Sequence, residues 1–390
     1  MKIYSDISVL TLATFMTGIQ RVTVEILVRL AENIGEDLVL LHYNARENMY
    51  HKVDNRLFLQ YYVEKRGKKE KMVTKRQLPL EEMQPGDVLF DVDATWMCRV
   101  KRSYLFPILK KQGVRIVVQI HDIISVEYPQ FCLERGVYNY MDYLGAALQY
   151  GDTFIVSTHA IVDSLERLAK SLGILLPPCQ VVPFGADYIE SQESAEELVK
   201  NNEKILPEIR DLAAEKTYIL MVGTIEPRKN HRLLLDAYDA QLKGRGYSVV
   251  LAGYMGWNME DFRERLETHP DFGRGVYHFS GLDDDNISYL YRHARYMAFL
   301  SYSEGFGLPL IEAFYRGTPV IASDIPVSRE VAGDYCVYFA QDDVEDFCGK
   351  IRELDDQPER YQRMKERLAA YRAVTWEENA RQMREILLSI

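Results

Sequence analysis

The chain has 390 residues, 47% of them hydrophobic and 27% charged, a balance that fits a globular protein with a large core and excludes disorder as its dominant state. Net charge is 47 − 58 = −11, which argues against a general nucleic-acid binder. At roughly 150 residues per domain the length suits two similar halves. No run reaches the ~20 apolar residues of a membrane span, and Met1–Asp6 lacks the apolar core of a secretion signal. Cys98, Cys132, Cys179, Cys336 and Cys348 are scattered and form no C-x-x-C pair. Reduced thiols in a cytoplasmic protein are expected, without a zinc site or disulfide framework.

Apolar runs alternate with amphipathic ones along most of the chain, which predicts an α/β fold with parallel sheets. The segment from Ile19 to Asn33 places Val22, Ile26, Leu27 and Leu30 on one helical face. Strands are expected at 38–41, 88–90, 114–120 and 154–156. Residues 64–76 carry seven basic and two acidic side chains. They read as a solvated mobile loop, or as a patch for anionic lipid or an anionic acceptor. From 190 to 216 the composition turns charged and polar, which marks the domain boundary. Beyond it strands are expected at 218–222, 248–252, 277–279, 296–300 and 320–322. Helices are expected at 230–240, 258–268, 285–294, from Pro309, over 343–371 and from Trp376 to Ile390. The charge is concentrated here: residues 191–390 hold 25 basic against 35 acidic side chains, whereas 1–190 hold 22 against 23.

The most informative segment is Ser303-Glu304-Gly305-Phe306-Gly307-Leu308-Pro309, which leaves a strand and opens a helix. Pro309 suits a first helical turn. The amides of Gly307 and Leu308 then stand where a helix N-terminus holds phosphate, and Glu312, one turn on, can reach sugar or ribose hydroxyls. Arg228 and Lys229 sit between a strand and a helix start, an unfavourable place for cations unless an anion joins them. His121 ends the most apolar strand of the first half; it reads either as a capping histidine or as a cleft-facing one.

Glu304 and Glu312, eight positions apart, reproduce the E-x7-E pattern of family 4 retaining glycosyltransferases. Further segments are similar to that family and in its order: Gly18-Ile19-Gln20-Arg21, Gln119-Ile120-His121-Asp122, Val182-Pro183-Phe184-Gly185-Ala186-Asp187 with Phe184 in place of the usual Asn, Val222 to Asn230, and Gly317 to Ser323. Some members carry Arg directly after the glycine of the fourth segment, where this chain has Thr224.

The resemblance implies a GT-B fold: two Rossmann-like domains with parallel sheets facing an interdomain cleft. The first domain would span 1–190 and bind the acceptor. The second would span 215–371 and bind a nucleotide-sugar donor, with the helix 376–390 crossing back. Arg228 and Lys229, with the Gly307 and Leu308 amides, would hold the leaving diphosphate. Glu312 would bind ribose, Glu304 would hold the sugar's hydroxyls, and Gly305 and Phe306 would bind substrate beside it. His121 would position the sugar or assist charge development, Gly18 would approach the diphosphate, and Leu282 would meet the nucleobase. Roles for Arg21 and Asp122 stay open. No cofactor or metal is implied, and retention leaves double displacement and same-face attack open.

The loop resembles bacterial enzymes of polysaccharide and O-antigen assembly, which makes GDP-mannose the leading donor. A glycan or lipid-linked oligosaccharide is the expected acceptor, reached from the cytoplasmic face of the membrane. Two other classes stand beside this: a sugar-nucleotide epimerase of the same fold, and a catalytically silent scaffold for a partner glycosyltransferase. Asp91-Val92-Asp93 matches a short metal-binding pattern of another glycosyltransferase architecture but reads as a strand-end acidic turn. Asp283-Asp284-Asp285 reads as a helix start.

Overall fold

The computed structural model describes residues 1–14, 16–187 and 204–390. They form two compact units, Met1–Gly185 with Val374–Ile390, and Ala186–Ala373. Among the described residues, no helix is long and apolar enough to cross a membrane.

The first unit is built on one sheet of β1 (Ile3–Asp6), β2 (Leu38–Asn44), β3 (Met49–Val53), β4 (Val73–Leu78), β5 (Val88–Asp91), β6 (Arg115–Ile120), β7 (Thr153–Val156) and β8 (Cys179–Val181). Their order is β4-β3-β2-β1-β5-β6-β7-β8. Every residue of β1, β5 and β7 is buried, as expected of strands covered on both faces. The helix Gly18–Ile34 buries Val22, Ile26, Leu27 and Leu30, and the Thr17 amide donates to Gln20 Oε1 (3.1 Å) in a capping box at its start.

Two features differ from the sequence expectation. The sheet is mixed, because β3 pairs antiparallel with both β2 and β4. Part of the basic segment also belongs to regular structure. Met72 is fully buried and β4 starts at Val73, with Lys75 and Arg76 outward on a sheet edge, where lysine and arginine discourage further strand pairing.

The second unit carries β9 (Thr217–Val222), β10 (Tyr247–Ala252), β11 (Val276–Phe279), β12 (Tyr296–Phe299), β13 (Val320–Ser323) and β14 (Cys336–Phe339) in the order β11-β10-β9-β12-β13-β14. All pairs are parallel. This is the doubly wound arrangement whose strand order reverses between β9 and β12, and ligands of such sheets bind beyond the carboxyl ends at that reversal. Of the expected boundary at 190–216, residues 190–203 lie outside those described. Ile205, Ile209 and Leu212 are buried against Tyr218, Leu290 and Leu310, so the later part of that polar stretch packs into the second unit.

The helix Trp376–Ser389 returns to the first unit. Phe184 stacks on Trp376 with ring centroids 5.8 Å apart, and Asn379 Nδ2 donates to the Pro183 carbonyl (2.7 Å). A Cβ on Gly185 would fall 2.4 Å from the Trp376 amide nitrogen and 2.6 Å from its Cγ, so the helix approaches only because this residue lacks a side chain. Gly185→Ala is therefore expected to destabilise the protein by about 1–3 kcal/mol, and to open the 374–390 segment to limited proteolysis. A thermal melt and digestion pattern matching the wild type would contradict this packing.

Candidate functional site

In the second unit the chain leaves β9 through Gly223, whose φ of +127° suits only glycine. Its amide bonds the Ala252 carbonyl (2.9 Å), and Ile225 bonds the Tyr254 carbonyl (2.8 Å), so this loop runs beside the one that follows β10. A Cβ on Gly223 would lie 3.1 Å from Lys229 Nζ. The glycine leaves the space through which the ammonium passes. The short turn Pro227–Lys229 then leads, through Asn230, into the helix His231–Ala237.

Next to it, the loop leaving β12 brings Glu304 onto both cations. Arg228 Nη1 lies 2.7 Å from Glu304 Oε2, and Lys229 Nζ lies 3.2 Å from Oε1. Ser301 Oγ also donates to Oε1 (2.9 Å), and Arg228 Nη1 donates to the Ser303 carbonyl (3.1 Å). On its other side Arg228 Nη2 is paired with Glu226 Oε1 at 2.7 Å. Two cations and two carboxylates thus balance in a nearly dry setting, with Lys229 only 8% exposed. Burial alone would raise the Glu304 carboxyl, but the charges of Arg228 and Lys229 overcome it and hold it at about 2. Glu304 is ionised throughout the physiological range and cannot act as a general acid there.

Downstream, Gly307 has φ +88°, and a Cβ there would meet Phe299 at 3.0 Å and Leu310 at 3.1 Å. That conformation turns the chain into the helix Leu308–Tyr315, with Pro309 in its first turn. Phe306 is buried beside it. Glu312 is buried, and Tyr291 donates its hydroxyl to Glu312 Oε2 (3.0 Å). Leu282 is partly buried against the core, in the loop after β11. The structure therefore brings together Arg228, Lys229, Glu304 and the Gly305–Leu308 turn at the reversal between β9 and β12.

Gly18 and His121 lie in the first unit. Gly18 is exposed at the start of its helix. His121 follows β6, is 7% exposed, and Nε2 donates to the Val92 carbonyl (2.7 Å). Burial lowers its pKa to about 4, the bond to Val92 opposing this only in part. At neutral pH the ring is uncharged, so it can orient a substrate but brings no positive charge. Asp122 accepts the Ile124 amide (3.0 Å) and so caps the next turn.

The Asp91-Val92-Asp93 turn is tied into the interior. Arg102 Nη2 meets Asp91 Oδ1 at 2.8 Å and Asp6 Oδ2 at 2.9 Å, with all three side chains essentially inaccessible. Asp93 accepts the amides of Leu10 (2.7 Å) and Ala94 (2.8 Å). In this sheet the order reverses between β1 and β5, and an ion cluster occupies that position.

Sequence reasoning did not single out Glu226, Ser301 or Asp342, all of which partner the site or its loops. It also passed over His231, wholly buried beside the cations. Neither ring nitrogen of His231 has a hydrogen-bond partner among the described residues, and burial, then the charge of Lys229, drives its pKa well down. The position immediately after Asn230 was the available signal.

Residues 187–370 match the model of the family described as glycosyl transferases group 1. The whole chain superposes on HepE of Anabaena in complex with UDP-glucose with a TM-score of 0.70, covering 100% of both chains at 15% identity. Residues 187–370 thus resemble that family, and the chain has the GT-B fold.

Among curated proteins it is 29% identical over 367 residues to the serotype-specific mannosyltransferase WbdA of Escherichia coli, covering 90% of this chain and 41% of that protein. It is 26% identical over 376 residues to the O-antigen chain mannosyltransferase B of E. coli, covering 93% of each. The chain thus spans about four-tenths of the length of the first of these relatives.

Proposed function

We propose that the protein transfers mannose from GDP-mannose to a hydroxyl of a glycan or lipid-linked acceptor, with retention at the anomeric carbon and without a metal. The observation that carries this reading is the Arg228–Lys229 pair held by Glu304 at the sheet reversal, beside the head of the helix Leu308–Tyr315. Departure of a nucleoside diphosphate develops negative charge. Two fixed cations and a helix N-terminus stabilise such charge without reorganising during the reaction.

In this reading Arg228, Lys229 and the amides of Gly307 and Leu308 hold the diphosphate, and Glu312 binds ribose. Glu304 holds the cations in place and receives sugar hydroxyls, while Leu282 borders the base. Gly18 and neutral His121 contribute to the diphosphate and the sugar. Mannose rests on the mannosyltransferase names of the curated relatives. The basic segment 64–76 is assigned to an anionic membrane surface on the cytoplasmic side. That assignment is supported by Lys69 Nζ, which donates to the Ala13 carbonyl (2.5 Å) and so places the segment beside exposed Leu12.

Incubation with GDP-mannose and a lipid-linked acceptor, followed by product analysis, tests the reading. Mannose α-linked to the acceptor supports it. An isomerised donor identifies an epimerase instead, and no turnover of any nucleotide sugar by the isolated protein identifies a scaffold.

A further inference from the structure

A hydrogen-bonded circuit ties the two loops of this site to a third one that carries none of the assigned groups. Asp342 Oδ1 accepts from Asn230 Nδ2 (3.0 Å) and from the Tyr302 hydroxyl (2.7 Å). Asn230 is the residue directly after the cation pair, and Tyr302 lies two residues before Glu304. The circuit closes through the Tyr302 amide, which donates to the Arg228 carbonyl (2.8 Å). Gln341 Nε2 adds a tie to the Tyr302 carbonyl (2.9 Å).

The loop bearing Asp342 is itself anchored. Asp343 caps the helix Val344–Asp356 by accepting the Asp346 amide (2.9 Å), and Asp346 Oδ2 accepts the Ala340 amide (2.7 Å). Asn230 has φ +57° and Asp342 has φ +64°, a left-handed region that a residue with a side chain holds only when its surroundings support it. Asn230 is buried, and this conformation lets the chain reverse from the cation-bearing turn straight into the helix His231–Ala237. The bond from Asp342 supports that conformation and fixes the amide side chain at the same time.

We infer that Asp342 is a positioning residue for the donor site: through Asn230 and Tyr302 it sets the spacing between the Arg228–Lys229 turn and the Glu304 loop. The inference rests on the assignment of that turn to the donor diphosphate. Asp342 touches no substrate. Its effect is geometric, because two loops from neighbouring strands β9 and β12 are pinned to one carboxylate oxygen. Without it, the turn and the loop keep their direct ion pairs but lose the fixed frame against which a diphosphate must fit.

Calorimetric titration of the full chain with GDP, and with UDP and ADP in parallel, tests this on Asp342→Ala, Asp342→Asn, Tyr302→Phe and Lys229→Ala. Asp342→Ala is expected to weaken nucleoside-diphosphate binding by about tenfold and to raise the donor KM in step, leaving the acceptor KM unchanged. Asp342→Asn keeps an oxygen at the same place and should bind within about threefold of wild type. Tyr302→Phe loses one of the two bonds and should fall between them.

Binding by Asp342→Ala within about twofold of wild type overturns the inference, and so does Asp342→Asn as weak as the alanine variant. If the alanine variant does not fold, Tyr302→Phe decides: wild-type affinity there overturns the inference equally. Lys229→Ala separates the two levels. Loss of binding in Lys229→Ala but not in the Asp342 and Tyr302 variants leaves the diphosphate assignment standing and removes only the positioning role. Wild-type binding in Lys229→Ala removes both.

Discussion

Lys229→Ala is expected to weaken nucleoside-diphosphate binding by about 10- to 100-fold and to lower kcat/KM by about 10²–10³-fold, with the fold intact. The ammonium threads past Gly223 and ends 3.2 Å from Glu304, 8% exposed, where a charge-assisted contact to phosphate is little screened by water. Removing it leaves Glu304 partnered by Arg228 at 2.7 Å and Ser301 at 2.9 Å, so the carboxylate keeps a cation and a donor and circular dichroism should not change. Calorimetry with GDP, UDP and ADP checks the binding, and steady-state kinetics with GDP-mannose checks the rate. Unchanged values in both would detach the cation pair from the donor.

Glu304→Gln should separate binding from turnover. In the wild type the carboxylate neutralises the two cations, together with Glu226; under the proposed assignment an arriving diphosphate would compete with it for them. The amide removes that competition, so the nucleoside diphosphate should bind at least as tightly as to wild type. Turnover should fall by about 10²-fold, because an uncharged group no longer fixes the cations and sugar together. Turnover within about threefold of wild type would contradict the role given to Glu304.

The same variant has a pH signature. The Glu304 carboxyl lies at about 2 in the folded chain against its usual 4.5, so the unfolded chain binds its proton first as the pH falls. Its contribution to stability is complete above pH 4.5 and is lost as the pH falls through about 2, a loss of roughly 3 kcal/mol over that window. Melting curves of wild type should shift downward across this window more than those of Glu304→Gln. Parallel curves would mean that the ion cluster does not hold the carboxyl down.

Much of this site was legible because its groups are local in sequence. Arg228 and Lys229 are adjacent, and Glu304 to Pro309 is one uninterrupted loop and helix start whose glycine and proline have turn-specific uses. The direct contact between the two segments was not legible. It joins residues 75 or more positions apart and depends on β9 and β12 being neighbours, which only the sheet order reveals.

Asp342 was invisible for the same reason, and also because an acidic residue before a helix reads as an ordinary cap. Its neighbour Asp343 is that cap. Phe184 was noticed only as a departure from the usual Asn. Its stacking on Trp376, 192 residues later in the sequence, explains why an aromatic ring serves there.

The strands most easily read were those buried on both faces, such as Tyr247–Ala252, where every residue is apolar or enclosed. The antiparallel edge was missed. In Val73–Leu78 only Leu78 is buried, and Lys75, Arg76 and Gln77 are exposed in succession, which masks an edge strand. The same residues made the segment look like a loop. The later part of the polar stretch before Thr217 conceals structure in the opposite way. Its charged surface hides Ile209 and Leu212 on one face of the helix Pro207–Glu215, with Ile205 just before it, all three buried in the second unit's core.

Under the proposed function, a pyrophosphoryl group is received by the cation pair and the helix head at the β9–β12 reversal. Isothermal titration of the full chain with GDP, UDP and ADP tests it most directly, with Lys229→Ala as the matched control. One-to-one binding of GDP in preference to the other two is expected, with that heat lost in the variant. Absence of heat with all three nucleotides on folded protein, or equal heat with Lys229→Ala, would contradict it.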